Sequence, residues 1–120
     1  MKHFKSGTGT VIDREDYSKE IIFKEADLPG KGHLFQVVTI PPQTKQRLHF
    51  HDFQTEIFYI LEGECLIYLN DEKFFAKSGD AFVCSPGDKH NLWNKTDKDF
   101  RLAVFKINLP KEDDTHWSSA

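Results

Sequence analysis

The segment of residues 49–56, HFHDFQTE, contains two histidines and a glutamate that could share one metal ion. In an extended strand His49 and His51 point to the same face, with Cα atoms about 6.6 Å apart at a rise of about 3.3 Å per residue. Two imidazoles at that separation can converge on one ion at a metal–nitrogen distance of about 2.0–2.1 Å. Residues 52–55 can form a turn that brings Glu56 back beside the histidines. These residue types therefore indicate a candidate metal site.

Three such residues do not establish a metal site by themselves. A His-x-His pair near an acid often occurs by chance, and histidines in strands are commonly half-buried, hydrogen-bonded residues. A fourth candidate, His90, begins an alternating segment in which Leu92 and Asn94 share its face. On an adjacent antiparallel strand, His90 would complete the set.

The elements that must position these residues are short. The apolar residues occur in runs rich in β-branched and aromatic types, bounded by turn residues, and no segment has a convincing helical period. This pattern of short apolar runs separated by turn residues predicts an all-β sandwich or barrel of antiparallel strands. Asn70 and Asp71 are expected to form a hairpin turn between Leu69 and Glu72. The predicted strand runs are 20–23, 33–40, 56–61, 64–69, 73–76, 80–84 and 100–107.

Composition limits the functional classes. A chain of 120 residues that is 38% hydrophobic and 29% charged, with a net charge of -3, is typical of one globular domain without a basic face for nucleic acid. No secretory signal or membrane-spanning apolar run is apparent, so a cytoplasmic location without membrane contact is expected. Cys65 and Cys84 are then expected to be reduced and buried as small apolar residues.

At the level of motifs the sequence resembles the cupin superfamily. Gln43 stands where the first motif usually has glycine, and Ser85 stands where the second usually has proline, so the shapes of these loops are in doubt. Fifteen residues separate Gly63 from Gly79, a short spacing that is similar to small single-domain members. The matching positions are His49, His51, Glu56 and Gly63 for the first motif, and Gly79, Gly87, His90 and Asn94 for the second.

The resemblance implies an antiparallel double-stranded β-helix, or jelly-roll barrel. It implies a single domain over residues 1–120, with a barrel core at about 33–107, a short N-terminal arm and a C-terminal tail. One divalent transition metal would be held inside by His49, His51, Glu56 and His90. Such mixed nitrogen and oxygen ligation suits iron, manganese, nickel, zinc, copper or cobalt, and an octahedral ion would keep two positions open.

Two classes of function follow. The first is a metal-dependent enzyme, a dioxygenase, isomerase or lyase acting on a small molecule, for which the sequence offers no general base. The alternative is a non-catalytic small-molecule binding or sensor protein. The family likeness also implies a homodimer, for which Phe50, Tyr59 and Phe75 are candidate contacts on the outer faces.

Other residues carry weaker expectations. Phe58, Ile60 and Leu92 should form a largely apolar wall beside the ion, although plain barrel core is the favoured interpretation. Asn94 should brace a turn, and Tyr59, Tyr68 and Trp93 should face outward. Lys45 and Arg47 would steer an anion or lie at a solvated edge. The tail with His116 and Trp117 is interpreted as a surface arm or partner contact, and not as a metal site.

Overall fold

The computed structural model describes residues 1–118, and these form two antiparallel β-sheets with one short 3-10 helix at Glu25–Asp27. The expectation of an all-β fold is confirmed, since all seven predicted runs lie in strands. The strands are β1 (Thr10–Asp13), β2 (Ser18–Phe23), β3 (Leu34–Ile40), β4 (Thr44–Lys45), β5 (His49–His51), β6 (Thr55–Glu62), β7 (Glu64–Leu69), β8 (Glu72–Lys77), β9 (Ala81–Cys84), β10 (His90–Asn94), β11 (Phe100–Ile107) and β12 (Thr115–Trp117).

Both sheets pair strands that are distant in the sequence. The first sheet has the order β1-β2-β3-β11-β6-β9, and the second has β12-β5-β10-β7-β8, with β4 also paired to β10. Because side chains alternate across a pleated strand, each strand sends every second residue between the two sheets. The buried core formed in this way includes Ile40, Phe58, Ile60, Ile67, Leu92, Phe100 and Leu102.

Two connections show why particular turn residues are needed. Gly63 alone joins β6 to β7 with a φ of 85°, and a Cβ there would lie 2.6 Å from the Asp99 carbonyl oxygen. Only glycine fits that left-handed, crowded position. The predicted hairpin turn at Asn70 is confirmed, since Leu69 pairs with Glu72 and Asn70 has a φ of 55°.

Gln43, which stands where the motif usually has glycine, adopts a left-handed backbone conformation. Gln43 has a φ of 55°, the left-handed conformation that glycine would adopt most easily. Its side-chain amide donates hydrogen bonds to the carbonyl oxygens of Lys95 and Thr96 and to Asp97 Oδ1, at 2.9, 3.2 and 3.1 Å. These bonds offset the backbone strain of a non-glycine residue.

The C-terminal tail, interpreted from the sequence as a surface arm or partner contact, contains an edge strand of the second sheet. Residues 115–117 form β12, which pairs with β5 so that Thr115 lies opposite His51 and Trp117 lies opposite His49. An edge of the sheet would otherwise leave the backbone groups of β5 without partners. At the other end of the chain, β1 and β2 extend the first sheet beyond β3. No helix among residues 1–118 is long and apolar enough to cross a membrane.

Candidate metal centre

The four predicted ligands lie between the sheets at one end of the barrel. His49 and His51 are on β5, and His90 begins β10, where it pairs directly with His49. Glu56 comes from β6, in the opposite sheet. The turn at residues 52–54 therefore carries the chain from one sheet to the other, as the sequence predicts. The alternation within each strand then points all four side chains into the same space.

The ligand atoms of these residues lie within 4.8 Å of one another. His51 Nε2 is 2.8 Å from Glu56 Oε1, and His90 Nε2 is 3.3 Å from the same oxygen without an aligned hydrogen bond. The ring centroids of His49 and His90 are 4.3 Å apart. The prediction that these four side chains converge is confirmed.

Two of the three imidazoles are held in one tautomer. Nδ1 of His49 lies 2.8 Å from the Arg47 carbonyl oxygen, and Nδ1 of His90 lies 3.0 Å from the Asp88 carbonyl oxygen. Because a carbonyl can only accept, each Nδ1 carries the proton and each Nε2 keeps its lone pair for an ion. Nδ1 of His51 contacts both the Asp114 carbonyl oxygen at 3.4 Å and the Gln54 amide nitrogen, a donor, at 3.2 Å, so these contacts do not select its tautomer.

The electrostatics of the site favour a neutral imidazole beside an ionised carboxylate. Burial and the neighbouring His90 lower the pKa of His49 to about 4. Burial alone would raise the pKa of Glu56, but the His51 and His90 imidazoles outweigh it and hold that pKa well below its ordinary value. Burial would lower the pKa of His90, and Glu56 overcomes this and raises it. The site therefore combines an ionised carboxylate with three imidazoles.

These residues fit a divalent transition metal. His90 Nε2 is buried without a hydrogen-bond partner, which leaves a donor atom directed at the point where the other three converge. Three imidazoles and one carboxylate form a donor set that suits several first-row metals, and it does not select one of them. The cluster can hold a metal ion, and the identity of that metal stays open.

One supporting residue, Asp114, has no signal in the local sequence pattern. It is 4% exposed, and its carboxylate accepts hydrogen bonds from the backbone N–H groups of Asp52, Phe53 and Gln54 at 2.9–3.1 Å. Burial would raise its pKa, but these three bonds lower it. Asp114 thus stabilises the turn between His51 and Glu56 from a position just before β12, which is distant in sequence.

A second cluster joins Asp52, Asp114 and His116, with ligand atoms also within 4.8 Å of one another. His116 Nε2 lies 2.6 Å from Asp52 Oδ2. The carboxylate of Asp114 already serves the three backbone donors, so it has little capacity left for an ion. The interpretation that His116 is not part of a metal site stays a prediction.

A cavity of about 420 Å³ opens from the four ligands toward solvent. The favoured interpretation of Phe58, Ile60 and Leu92 as barrel core is confirmed, since all three belong to the buried core. Phe58 and Leu92 also line the cavity, but its wall is not largely apolar. Polar and cationic side chains contribute as well, because the ends of β2, β3 and β11 and the β1–β2 loop approach the opening. They include Arg14, Lys19, Gln36, Gln46, Gln54 and Lys106.

The structure also locates the basic, amide and aromatic residues for which the sequence carried weaker expectations. Arg47 lines the cavity and lies over the Trp117 ring at 5.0 Å, whereas Lys45 lies over Trp93 at 4.5 Å, away from the cavity. Asn94 braces a turn as predicted, since its buried amide bonds the backbone of β3 and of residues 96–98. Tyr59 faces outward and is 50% exposed.

Both cysteines are buried free thiols, in agreement with the sequence interpretation. Burial raises the pKa of Cys65 to about 12. Burial, with a smaller contribution from Glu56, raises the pKa of Cys84 as well. Neither is a thiolate at neutral pH, so neither is a reactive nucleophile.

Comparison with known sequences supports the same assignment. Residues 36–106 match the family model described as "Cupin domain". The chain is 30% identical to the oxalate-binding protein of Thermotoga maritima over 121 aligned positions, which cover 88% of this chain and 99% of that protein.

Comparison with solved structures supports the fold. The crystal structure of a predicted oxalate decarboxylase from Thermotoga maritima superposes with a TM-score of 0.80 at 24% identity, covering 90% of this chain and 100% of that one. The polyketide cyclase of Streptomyces resistomycificus gives a TM-score of 0.80 at 19% identity, covering 99% and 87%. At these identities the likeness concerns the fold alone.

Proposed function

The chain belongs to the cupin family, and we propose that it binds a small acid anion through one divalent transition metal held by His49, His51, Glu56 and His90. The observation that carries the proposal is the convergence of three imidazoles and the Glu56 carboxylate, whose ligand atoms lie within 4.8 Å of one another and line an open cavity. The relative in Thermotoga maritima is named for oxalate binding, which supports an oxygen-chelating acid as the ligand class.

The residues around the metal centre have different roles in binding the anion. An ion held by the three histidines and Glu56 would supply Lewis acidity toward the oxygen atoms of a chelating ligand. Glu56 leaves the ion with a net charge of about +1, so an anion is still attracted. Phe58 and Leu92 exclude water from one side of the cavity.

The second candidate is a metal-dependent enzyme, a dioxygenase, isomerase or lyase. One observation favours it: Tyr17, a titratable residue outside the four ligands, lines the same cavity. Burial raises the pKa of Tyr17 above its ordinary value of 10.0, so its phenol is protonated at neutral pH and can donate a proton. Tyr17 is a candidate hydrogen-bond donor to a reacting oxygen, and it does not supply the general base that the sequence lacks.

The experiment pairs metal analysis with oxalate binding. Protein purified without a histidine tag should contain about one transition metal per chain, and the metal-loaded form should bind oxalate in calorimetry. Glu56→Gln and His49→Ala should lose most of the metal, whereas His116→Ala, a histidine outside the four, should keep it. Full metal content in the first two variants would refute the ligand assignment. Release of product from oxalate would select the enzyme.

We further propose that the chain forms a homodimer. The support is the apolar character of the outer faces, where Tyr59, Phe75 and Val83 are 50%, 81% and 54% exposed. Phe50 is a poorer candidate, because it is half-buried and stacks on His116. Sedimentation of the protein and of Tyr59→Asp and Phe75→Asp variants tests this: a dimer that neither substitution weakens would use another face.

A further inference from the structure

Three polar side chains lie on the inner face of the first sheet, outside the four metal-binding candidates. They are Lys19 on β2, Gln36 on β3 and Lys106 on β11, and all three line the cavity. Lys19 pairs with Val38, and Lys106 pairs with Leu34. Gln36 lies two residues from each of those partners, so it is the diagonal neighbour of both lysines. Diagonal neighbours in a sheet are about 7–8 Å apart, within reach of long side chains.

Among residues 1–118, Gln36 Oε1 has no hydrogen-bond partner and the two lysines have no ion-pair partner. Gln36 is 3% exposed, and its Oε1 has no hydrogen-bond partner. Lys19 and Lys106 are half-buried, and no carboxylate oxygen of residues 1–118 lies within 4.0 Å of either ammonium group. Burial lowers the pKa of Lys19, and the positive charge of Lys106 lowers it further. Two unpaired cations facing one cavity are unfavourable unless an anion joins them.

The carboxylates of the cavity are engaged elsewhere or lie at its rim. Glu56 contacts His51, and Asp114 accepts the backbone bonds of the 52–54 turn. Glu112 and Asp113 are exposed. Asp16 is half-buried but forms no ion pair with either lysine. The two lysines therefore remain available to a negative charge brought by a ligand.

The position of Lys106 places that charge next to the metal centre. Lys106 is the direct partner of Glu56 across β11 and β6, so their side chains share one face. The positive charge of Lys106 also helps to lower the pKa of Glu56, after the effects of burial and the two imidazoles. An anion at the lysines would thus lie beside the ion and not at a remote surface.

The size of the cavity leaves room for such a group. Oxalate has six non-hydrogen atoms, and at about 30 Å³ each, one water's share of liquid volume, it needs roughly 180 Å³. The cavity measures about 420 Å³. More than half of the space would remain after a two-carbon diacid bound to the metal, and the lining of that remaining space includes the lysines.

We propose that Lys19, Gln36 and Lys106 form a second anion-binding subsite, the distal subsite, and that the preferred ligand is therefore an acid longer than oxalate. This inference rests on the proposed function, because the other end of the ligand chelates the ion. One anionic group of the ligand pairs with the two ammonium groups, and Gln36 Nε2 donates to it, while the unpartnered Gln36 Oε1 can accept from a hydroxyl group of the ligand. Gln36 and Lys106 are the first and last residues of the segment that matches the family model, and Lys19 precedes it.

The distal group is either a carboxylate or a phosphate, since both satisfy two ammonium groups and an amide donor. Matched pairs of ligands separate the two. The pair 2-hydroxyglutarate and 2-hydroxyvalerate share a chelating head and differ only in the distal carboxylate. The pair 3-phosphoglycerate and glycerate differ only in the phosphate. Calorimetry on the manganese-loaded protein measures the affinity of all four ligands. Oxalate is the control, because it binds the metal and has no group that reaches the distal subsite.

The expected result is a preference of about tenfold or more for the anionic member of at least one pair. Lys19→Met and Lys106→Met keep the bulk of the side chain and remove its charge, so each should reduce that preference severalfold. Both should bind oxalate nearly as well as the parent protein, which also shows that they are folded. Lys45→Met, at the lysine that lies over Trp93, should leave every affinity unchanged.

Each outcome is decisive. Equal affinity for both members of both pairs, with oxalate still bound, would overturn the distal subsite and leave the proposed function intact. A preference that survives both methionine substitutions would also overturn it. Failure of oxalate and of all four longer acids to bind the metal-loaded protein would reject the proposed function itself. The thermal midpoint, which should rise with the preferred ligand and less so in the lysine variants, gives an independent measure.

Discussion

The backbone carbonyl oxygen of Asp114 lies 3.4 Å from Nδ1 of His51, although 63 residues separate them in the chain. The carboxylate of the same aspartate binds three consecutive backbone N–H groups in the turn that follows His51. One residue of the C-terminal segment therefore orients a metal-binding candidate and shapes the connection to Glu56. The metal centre is completed by a part of the chain outside both motifs.

The first prediction concerns Asp114→Asn. An amide offers one acceptor oxygen in place of two, and its NH₂ group faces backbone donors, so at least one buried N–H loses its partner. We expect the free energy of unfolding to fall by about 2–3 kcal/mol and the metal affinity to fall about 10–100-fold. Denaturant titration and metal competition measure the two effects. Glu112→Gln, at an exposed neighbour, should change stability little. Unchanged metal affinity in the Asp114 variant would show that Asp114 does not position the metal-binding residues.

The second prediction is the pH dependence of that contribution. The pKa of Asp114 in the folded protein is below its ordinary value of 3.8, so the folded state favours the ionised carboxylate. Its stabilising effect is fully present above about pH 5 and is lost as pH falls through the folded-state pKa. The stability difference between the parent and Asp114→Asn should thus be constant from pH 5 to 7 and shrink below pH 4. A difference that grows on acidification would contradict this.

The third prediction tests the role of Asn94. Its Nδ2 donates to the carbonyl oxygens of Ile40, Pro41 and Lys98, and its Oδ1 accepts from Thr96. Asn94→Ala leaves several buried groups unpaired, so we expect a loss of about 3 kcal/mol in the free energy of unfolding. Metal content should stay at that of the parent, because the residue braces a turn. A selective loss of metal with normal stability would instead place Asn94 at the ion.

The fourth prediction compares two glycines with similar backbone conformations. Gly63 and Gly79 have φ values of 85° and 92°, but an added Cβ meets the Asp99 carbonyl oxygen at 2.6 Å only at Gly63, and nothing within 4 Å at Gly79. Both alanine variants suffer backbone strain, of about 1 kcal/mol or more. Only Gly63→Ala also forces the β6–β7 connection to move. The thermal midpoint should therefore fall much further in Gly63→Ala, and equal losses would show that strain alone decides.

The sequence by itself determined the strands that carry the four candidate ligands and the inward face of each. Alternation with a period of two is a local property, so His49 with His51, Glu56 with Phe58, and His90 with Leu92 are assigned to common faces without knowledge of the fold. The turn residues at Gly63 and Asn70 bound those strands. Together with the motif spacing, this was enough to predict the four residues that converge at the candidate metal centre.

The tertiary structure alone decided what surrounds that centre. Asp114 reaches the 52–54 turn because β12 pairs with β5, and Lys19 approaches Lys106 because β2 and β11 both flank β3. Neither pairing leaves a signal in the local pattern, since an aspartate in a charged tail and a lysine in a short strand are ordinary surface residues in sequence. Long-range strand pairing brings them to the cavity. For that physical reason its polar wall could not be predicted.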